Sequence, residues 1–198
     1  TINKYPGQVN ILCLAPLTNL SVAYMLDPTL VTRVNKLVVM GGSYESFGNI
    51  KSTGEFNFAC DDIAAKKVLD KFRNVDVYCW EPSMSHLIFP EHIKFSDEAK
   101  KTEKAMFIQH CVDKKMSGLQ KGVYADYGAA VVGFYPLSIK SSFEGYCDLT
   151  IDSEENKQSR FVVSDVNYTS NKNKQKHRII EKVDLSFFHG LFNKMINC

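Results

Sequence analysis

Asn49, Glu55 and Asn57 place two amides and a carboxylate in one loop, directly after the apolar run Leu37-Val-Val-Met40 and the pair Gly41-Gly42. Amides and carboxylates offer donors and acceptors side by side, which is what gripping a polyol requires. A buried strand that stops at glycine and then presents such groups is building a polyol or phosphate pocket at the carboxyl edge of a sheet. The same residues could instead close an ordinary polar loop through their own hydrogen bonds. Asp126 is a second candidate. It precedes the apolar stretch Tyr127–Tyr135, halted by Pro136, where an acidic side chain most economically caps a helix. His86 is a third, placed after the run ending Trp80-Glu81, and is open to a structural or a chemical role. His110, His177 and His189 are expected on helix or loop surfaces.

The elements that must position these groups follow from periodicity. Gln8–Leu14 reads as a buried strand. A helix from Pro16 carries Leu17, Leu20, Ala23, Tyr24 and Leu26 on its apolar side and ends at Pro28. Leu37–Met40 and Val75–Trp80 are further strands, with a helix between them from Cys60 to Phe72 opened by Asp61-Asp62. Strand, helix, strand, helix, strand with short loops predicts an α/β fold, an open and mostly parallel sheet flanked by helices. A long amphipathic helix is expected over 97–117, through Ala99, Ala105, Met106, Ile108 and Val112, and a buried one over Asp126–Tyr135. Beyond that, Ile139–Ile151, Ser159–Val166 and Arg178–Val183 read as a C-terminal antiparallel segment. Asn167–Lys176 is expected as an exposed, mobile loop, and a last helix is capped by Asp184.

Composition narrows the classes. The chain has 198 residues, 44% of them apolar, enough for the core of one domain spanning 1–198. With 24 basic against 22 acidic side chains it offers no broad attraction to nucleic acid or anionic lipid. No apolar run approaches the roughly 18 residues of a membrane span. Six scattered cysteines lack zinc spacing and are expected as free thiols in a reducing, cytoplasmic setting. Asn19-Leu-Ser21 and Asn167-Tyr-Thr169 match the glycosylation sequon, the first at what reads as a buried helix start. There is no G-x-G-x-x-G fingerprint, P-loop, nucleophile elbow or His-Glu-x-x-His run.

The run Asn35–Asn57, and above all Glu55-Phe-Asn57, resembles the nucleoside hydrolases of the inosine-uridine-preferring family. Leu12-Cys-Leu-Ala-Pro-Leu-Thr-Asn19 is similar to that family's strand-to-helix turn, and Tyr124–Pro136 to the segment carrying its late aspartate. The resemblance implies cleavage of the N-glycosidic bond of ribonucleosides to base and ribose, in purine and pyrimidine salvage. It implies ribose contacts at Met40, Asn49, Glu55, Asn57 and Asp126. Calcium would be held by Asp126 and the main-chain carbonyl of Leu14. The family opens with an aspartate-rich loop that has no counterpart here, so the chain is expected to be N-terminally incomplete relative to the family. Calcium takes six to eight oxygens, so the remaining ligands would come from that segment.

Purine-preferring members place a histidine before the late aspartate to protonate the leaving base; Ala125 stands there, and an alanine donates nothing. Tyr124 could substitute, and His86 matches another family histidine. Because the resemblance implies that the general base and most metal ligands belong to the aspartate-rich segment, the chain alone is expected to hydrolyse poorly or not at all. The alternatives are an inactive relative that binds a nucleoside or a protein, and a scaffold of antigen type. Self-association, or pairing with an N-terminal fragment, is expected to cover the edge beside Gln8.

Overall fold

The computed structural model describes residues 1–50, 52–116, 122–151, 159–169 and 172–198. Six strands form one sheet: β1 (Val9–Cys13), β2 (Val34–Met40), β3 (Val75–Tyr78), β4 (Ile139–Ile151), β5 (Ser159–Ser164) and β6 (His177–Val183), in the order β1-β2-β3-β6-β4-β5. β1, β2, β3 and β6 run parallel, while β4 pairs antiparallel with both β6 and β5. The expected parallel sheet with a C-terminal antiparallel segment is the architecture found.

Alternation along the strands divides the core into two layers. Leu37 and Val39 of β2, Val75 and Val77 of β3 and Ile179 of β6 face one side. There they meet α1 (Thr18–Leu26) and its N-cap through Leu17, Leu20 and Ala23, and α3 (Asp62–Lys71) through Ala65, Val68 and Leu69. Val38, Met40, Tyr78 and Ile180 face the other side. That side is covered by α5 (Glu103–Met116), α6 (Ala125–Phe134) and α7 (Leu185–Asn197), with Phe188 and Phe192 of α7 buried. Strands buried on both faces read as continuous apolar runs, which is why Leu37–Met40 is visible in the sequence.

Several boundaries differ from expectation. The helix predicted from Cys60 is broken into α2 (Phe56–Cys60) and α3 because Asp61 leaves helical geometry, with φ −152°, to cap α3 through Ala64 N at 3.0 Å. The helix predicted over 97–117 is a 3-10 turn at Ala99–Lys101 followed by α5, whose start is capped by Thr102 Oγ1 on Ala105 N at 3.1 Å; Ser117 lies outside the described residues. β1 is of intermediate burial, not buried, since among the described strands it pairs with β2 alone. Leu26, expected on the apolar side of α1, is 82% exposed, and Asn19 is exposed rather than buried.

The largest departure is in Asn167–Lys176, of which residues 170 and 171 are outside the described set. Lys174 is buried there, its ammonium 2.7 Å from Asp70 and 3.7 Å from Asp148. His177 is buried too, with Nε2 2.7 Å from the carbonyl of Leu69. A run of Asn, Lys and Ser carries no sign that one lysine will find two carboxylates on other elements. Asp184 caps α7 as expected, accepting from Phe187 N at 3.0 Å.

Candidate active site

β2 ends at Met40, and the chain turns through Gly41 and Gly42. Gly42 has φ +76°, a region L side chains avoid, and a Cβ on Gly41 would stand 2.3 Å from the Phe58 ring. The glycines let the loop fold back so that Glu55, 3% exposed, caps α2 beneath the strand end. Its Oε2 accepts from Gly42 N at 2.9 Å and Phe58 N at 3.1 Å, and its Oε1 from Asn57 N at 2.9 Å. Burial pushes the Glu55 carboxyl above the usual range; the three N–H bonds oppose this, and the Asp126 carboxylate adds to it.

Asn57 is buried, and its amide nitrogen donates to the Met40 carbonyl at 3.1 Å. Among the described residues no donor engages its Oδ1. Asn49 Oδ1 accepts from Phe56 N at 2.8 Å, which seats Asn49 against the same helix start. The predicted trio is thus assembled, and self-closure of the loop accounts for part of its hydrogen bonding.

Asp126 reaches this end of the sheet from the other layer. It is not the cap of α6: Tyr124 takes that position, and Asp126 lies exposed in the first turn, where the helix dipole favours a carboxylate. α6 is drawn onto the sheet at Gly128, where a Cβ would meet the Tyr78 hydroxyl at 2.3 Å. Asp126 acts electrostatically on Glu55 although the two come from opposite layers. Leu14 lies just past the carboxyl end of β1, 37% exposed, beside the strand ending at Met40.

His86 takes a different place from the one expected of a proton donor. It is buried, Val183 N donates to its Nε2 at 3.1 Å, and its Nδ1 is 2.7 Å from the Tyr78 hydroxyl. Nε2 as acceptor leaves the proton on Nδ1, which donates to the phenol. Both nitrogens are spent inside the protein, and burial holds the imidazole down at about 4, so it is neutral. His86 joins β3, β6 and, through Tyr78, α6. Tyr124 is half-buried, its ring 5.6 Å from Phe192, and burial raises its phenol, which keeps its proton at neutral pH.

Sequence reasoning passed over Glu81. In α4 (Trp80–Ser85), at the carboxyl end of β3, its Oε1 accepts from Ser43 Oγ at 2.6 Å and Glu45 N at 2.8 Å. Its position directly after a predicted strand was the available signal.

Among the described residues no group of three or more His, Cys, Asp and Glu side chains could hold a metal ion. Asp126 and the Leu14 carbonyl fall far short of the six to eight oxygens calcium takes, so the residues present do not by themselves fit that ion. All six cysteines are free, with Cys79 and Cys147 buried. No helix among the described residues is long and apolar enough to cross a membrane.

The chain is 40% identical over 76 residues to a probable uridine nucleosidase 1 of Oryza sativa subsp. japonica, a match covering 38% of this chain and 24% of that protein. It is 38% identical over 76 residues to uridine nucleosidase 1 of Arabidopsis thaliana, covering 38% and 23%. Among solved structures, a plant nucleoside hydrolase, PpNRh1, superposes with TM-score 0.80 at 16% identity, covering 100% of this chain and 64% of that one. An inosine-guanosine nucleoside hydrolase gives 0.77 at 22% identity, covering 96% and 61%. The chain thus spans less than two thirds of the proteins it matches. The family model of the inosine-uridine preferring nucleoside hydrolases matches residues 1–190, and with the sheet and loop just described this places the chain in that family.

Proposed function

We propose that this chain supplies the sugar-holding half of a ribonucleoside N-glycosidase. The observation that carries the reading is the Glu55-Phe56-Asn57 turn: a buried carboxylate held by three backbone N–H groups, next to an amide oxygen that no described residue engages. Asn57 Oδ1 accepts from a ribose hydroxyl, Asn49 contributes its amide nitrogen, and Met40 packs beneath the ring. In the reaction the bond from the anomeric carbon to the base nitrogen breaks, water oxygen joins that carbon, and one water proton ends on the base. Positive charge grows on the sugar as the bond breaks. The carboxylates of Glu55, held by backbone N–H groups, and Asp126 favour that charge over the neutral ground state. Ala125 offers no proton and the Tyr124 hydroxyl is buried against Phe192, so the proton for the leaving base comes from water. Were calcium bound, Asp126 and the Leu14 carbonyl would hold it only with further ligands, and it would polarise the attacking water.

A second reading, a nucleoside-binding relative without catalysis, is favoured by Ala125 together with the fully engaged His86. Saturation-transfer NMR with uridine, followed by chromatography of the same samples for uracil, tests both. Ribose protons should receive saturation from the chain, and Asn57→Ala should weaken binding about tenfold, the value of one good hydrogen bond. Uracil release above the spontaneous rate selects the hydrolase over the binder. Contact through the base alone, or an unchanged Asn57→Ala affinity, removes the sugar site.

A further inference from the structure

We propose that Glu81 is the positioning residue for the sugar-holding loop, clamping Ser43–Phe47 so that Asn49 is presented at the carboxyl end of β2. The proposal rests on the reading of that end as a ribose site. Ser43 is fully buried, and its hydroxyl is bonded both ways: it donates to Glu81 Oε1 at 2.6 Å and accepts from Phe47 N at 2.9 Å. The same Oε1 accepts from Glu45 N at 2.8 Å. One carboxylate oxygen thus fixes two points of the loop directly and a third through the serine. The turn it enforces includes Ser46 at φ 62°, a conformation a serine does not hold without support. A main-chain bond from Trp80 N to the Gly42 carbonyl at 2.9 Å ties the base of the loop to the same helix.

Beyond the clamp, Gly48 N and Asn49 N are bonded to the carbonyls of Ser52 and Gly54 at 3.0 and 3.1 Å, and Asn49 Oδ1 is bonded to Phe56 N. Asn49 therefore sits between a stretch fixed by Glu81 and one fixed by the α2 start. Glu81 and Glu55 both act electrostatically on Cys79, which sets the two carboxylates at adjoining strand ends. Glu81 uses one oxygen for the clamp, while its buried Oε2 has no hydrogen-bond partner among the described residues. Among the described residues no lysine or arginine pairs with it. Stability alone gives no reason to seat a half-buried carboxylate here without a cation beside it, whereas holding a binding loop does.

The test compares Glu81→Ala, Glu81→Gln and Ser43→Ala by amide exchange, melting and uridine titration on the full chain. Glu81→Gln keeps the accepting oxygen; Glu81→Ala removes it. In Glu81→Ala, exchange at Glu45 and Phe47 should quicken at least tenfold and uridine affinity should fall about five- to tenfold, while amides of β2 and β3 keep their protection. Glu81→Gln should recover most of both. Ser43→Ala should quicken Phe47 more than Glu45. Unchanged exchange at Glu45 and Phe47 in Glu81→Ala overturns the clamp. So does a loss of protection spread evenly over the sheet, which would mark Glu81 as a general stabiliser. If wild type takes up no uridine, the ribose reading fails. The clamp then stands or falls on exchange in the loop alone.

Discussion

The two ends of the parallel strands treat buried carboxylates in opposite ways. At the amino ends, Asp76 of β3 is 2% exposed and lies between Arg178, bonded through Nε at 2.9 Å and Nη2 at 2.5 Å, and Lys36 at 2.6 Å. At the carboxyl ends, Glu55 is as deeply buried yet is held by backbone N–H groups, and the half-buried Glu81 by one N–H and one hydroxyl. A charge answered by neighbouring cations is closed to other partners. One answered by amide dipoles keeps its field, and that field is available to a polyol or to developing positive charge. The difference separates the end that stabilises this protein from the end that can do chemistry.

The largest expected effect breaks the closed end. Asp76→Ala strands Arg178 and Lys36 around a buried site, and unfolding by urea should show a loss of about 3 kcal/mol with little change at Glu45 or Asn49. A loss below about 1 kcal/mol would mean the two cations find solvent and the pairing is incidental. Glu55→Gln comes next. It turns an amide NH2 toward backbone donors, costing about 2 kcal/mol, and weakens uridine binding as well, so both stability and affinity should respond. If stability alone responds, Glu55 is a cap and nothing more.

A smaller effect lies in the pH dependence. The folded-state value for His86 is depressed from 6.5 to about 4, so the stability it contributes is intact above 6.5 and is lost as pH falls toward about 4. Glu55 is raised above 4.5, so its contribution is greatest below the ordinary glutamate range and is lost as pH rises through the raised value. The two slopes oppose one another in weak acid. His86→Gln should flatten the acid-side fall in melting temperature, and Glu55→Gln should steepen it. Identical profiles for both variants would show that neither group governs this window. The smallest expected signal is from calcium. Calorimetric titration should find only binding weaker than micromolar, since one carboxylate and one carbonyl, Asp126 and Leu14, leave calcium mostly hydrated. A micromolar or tighter site would make the open end a metal centre in its own right.

What the residues determined by themselves is local. Leu37-Val-Val-Met40 has the apolarity of a strand covered on both faces, Gly41-Gly42 has the freedom a sharp reversal needs, and Asp184 can cap the helix it precedes. Each depends on interactions within a few positions, so each was legible in the sequence along with the α/β class and the Asn49, Glu55 and Asn57 trio. Tertiary structure alone decided the rest, because it depends on partners far along the chain. His86 became a buried strut when Val183 N, 97 positions away, took its Nε2. Lys174 left an apparently solvated loop for Asp70 and Asp148. Asp126 acts on Glu55 from a helix that packs on the sheet, close against Tyr78 at Gly128. A side chain's capacity to donate, accept or carry charge is written in its type, but which group answers it is settled only when distant segments are packed close enough to exclude water.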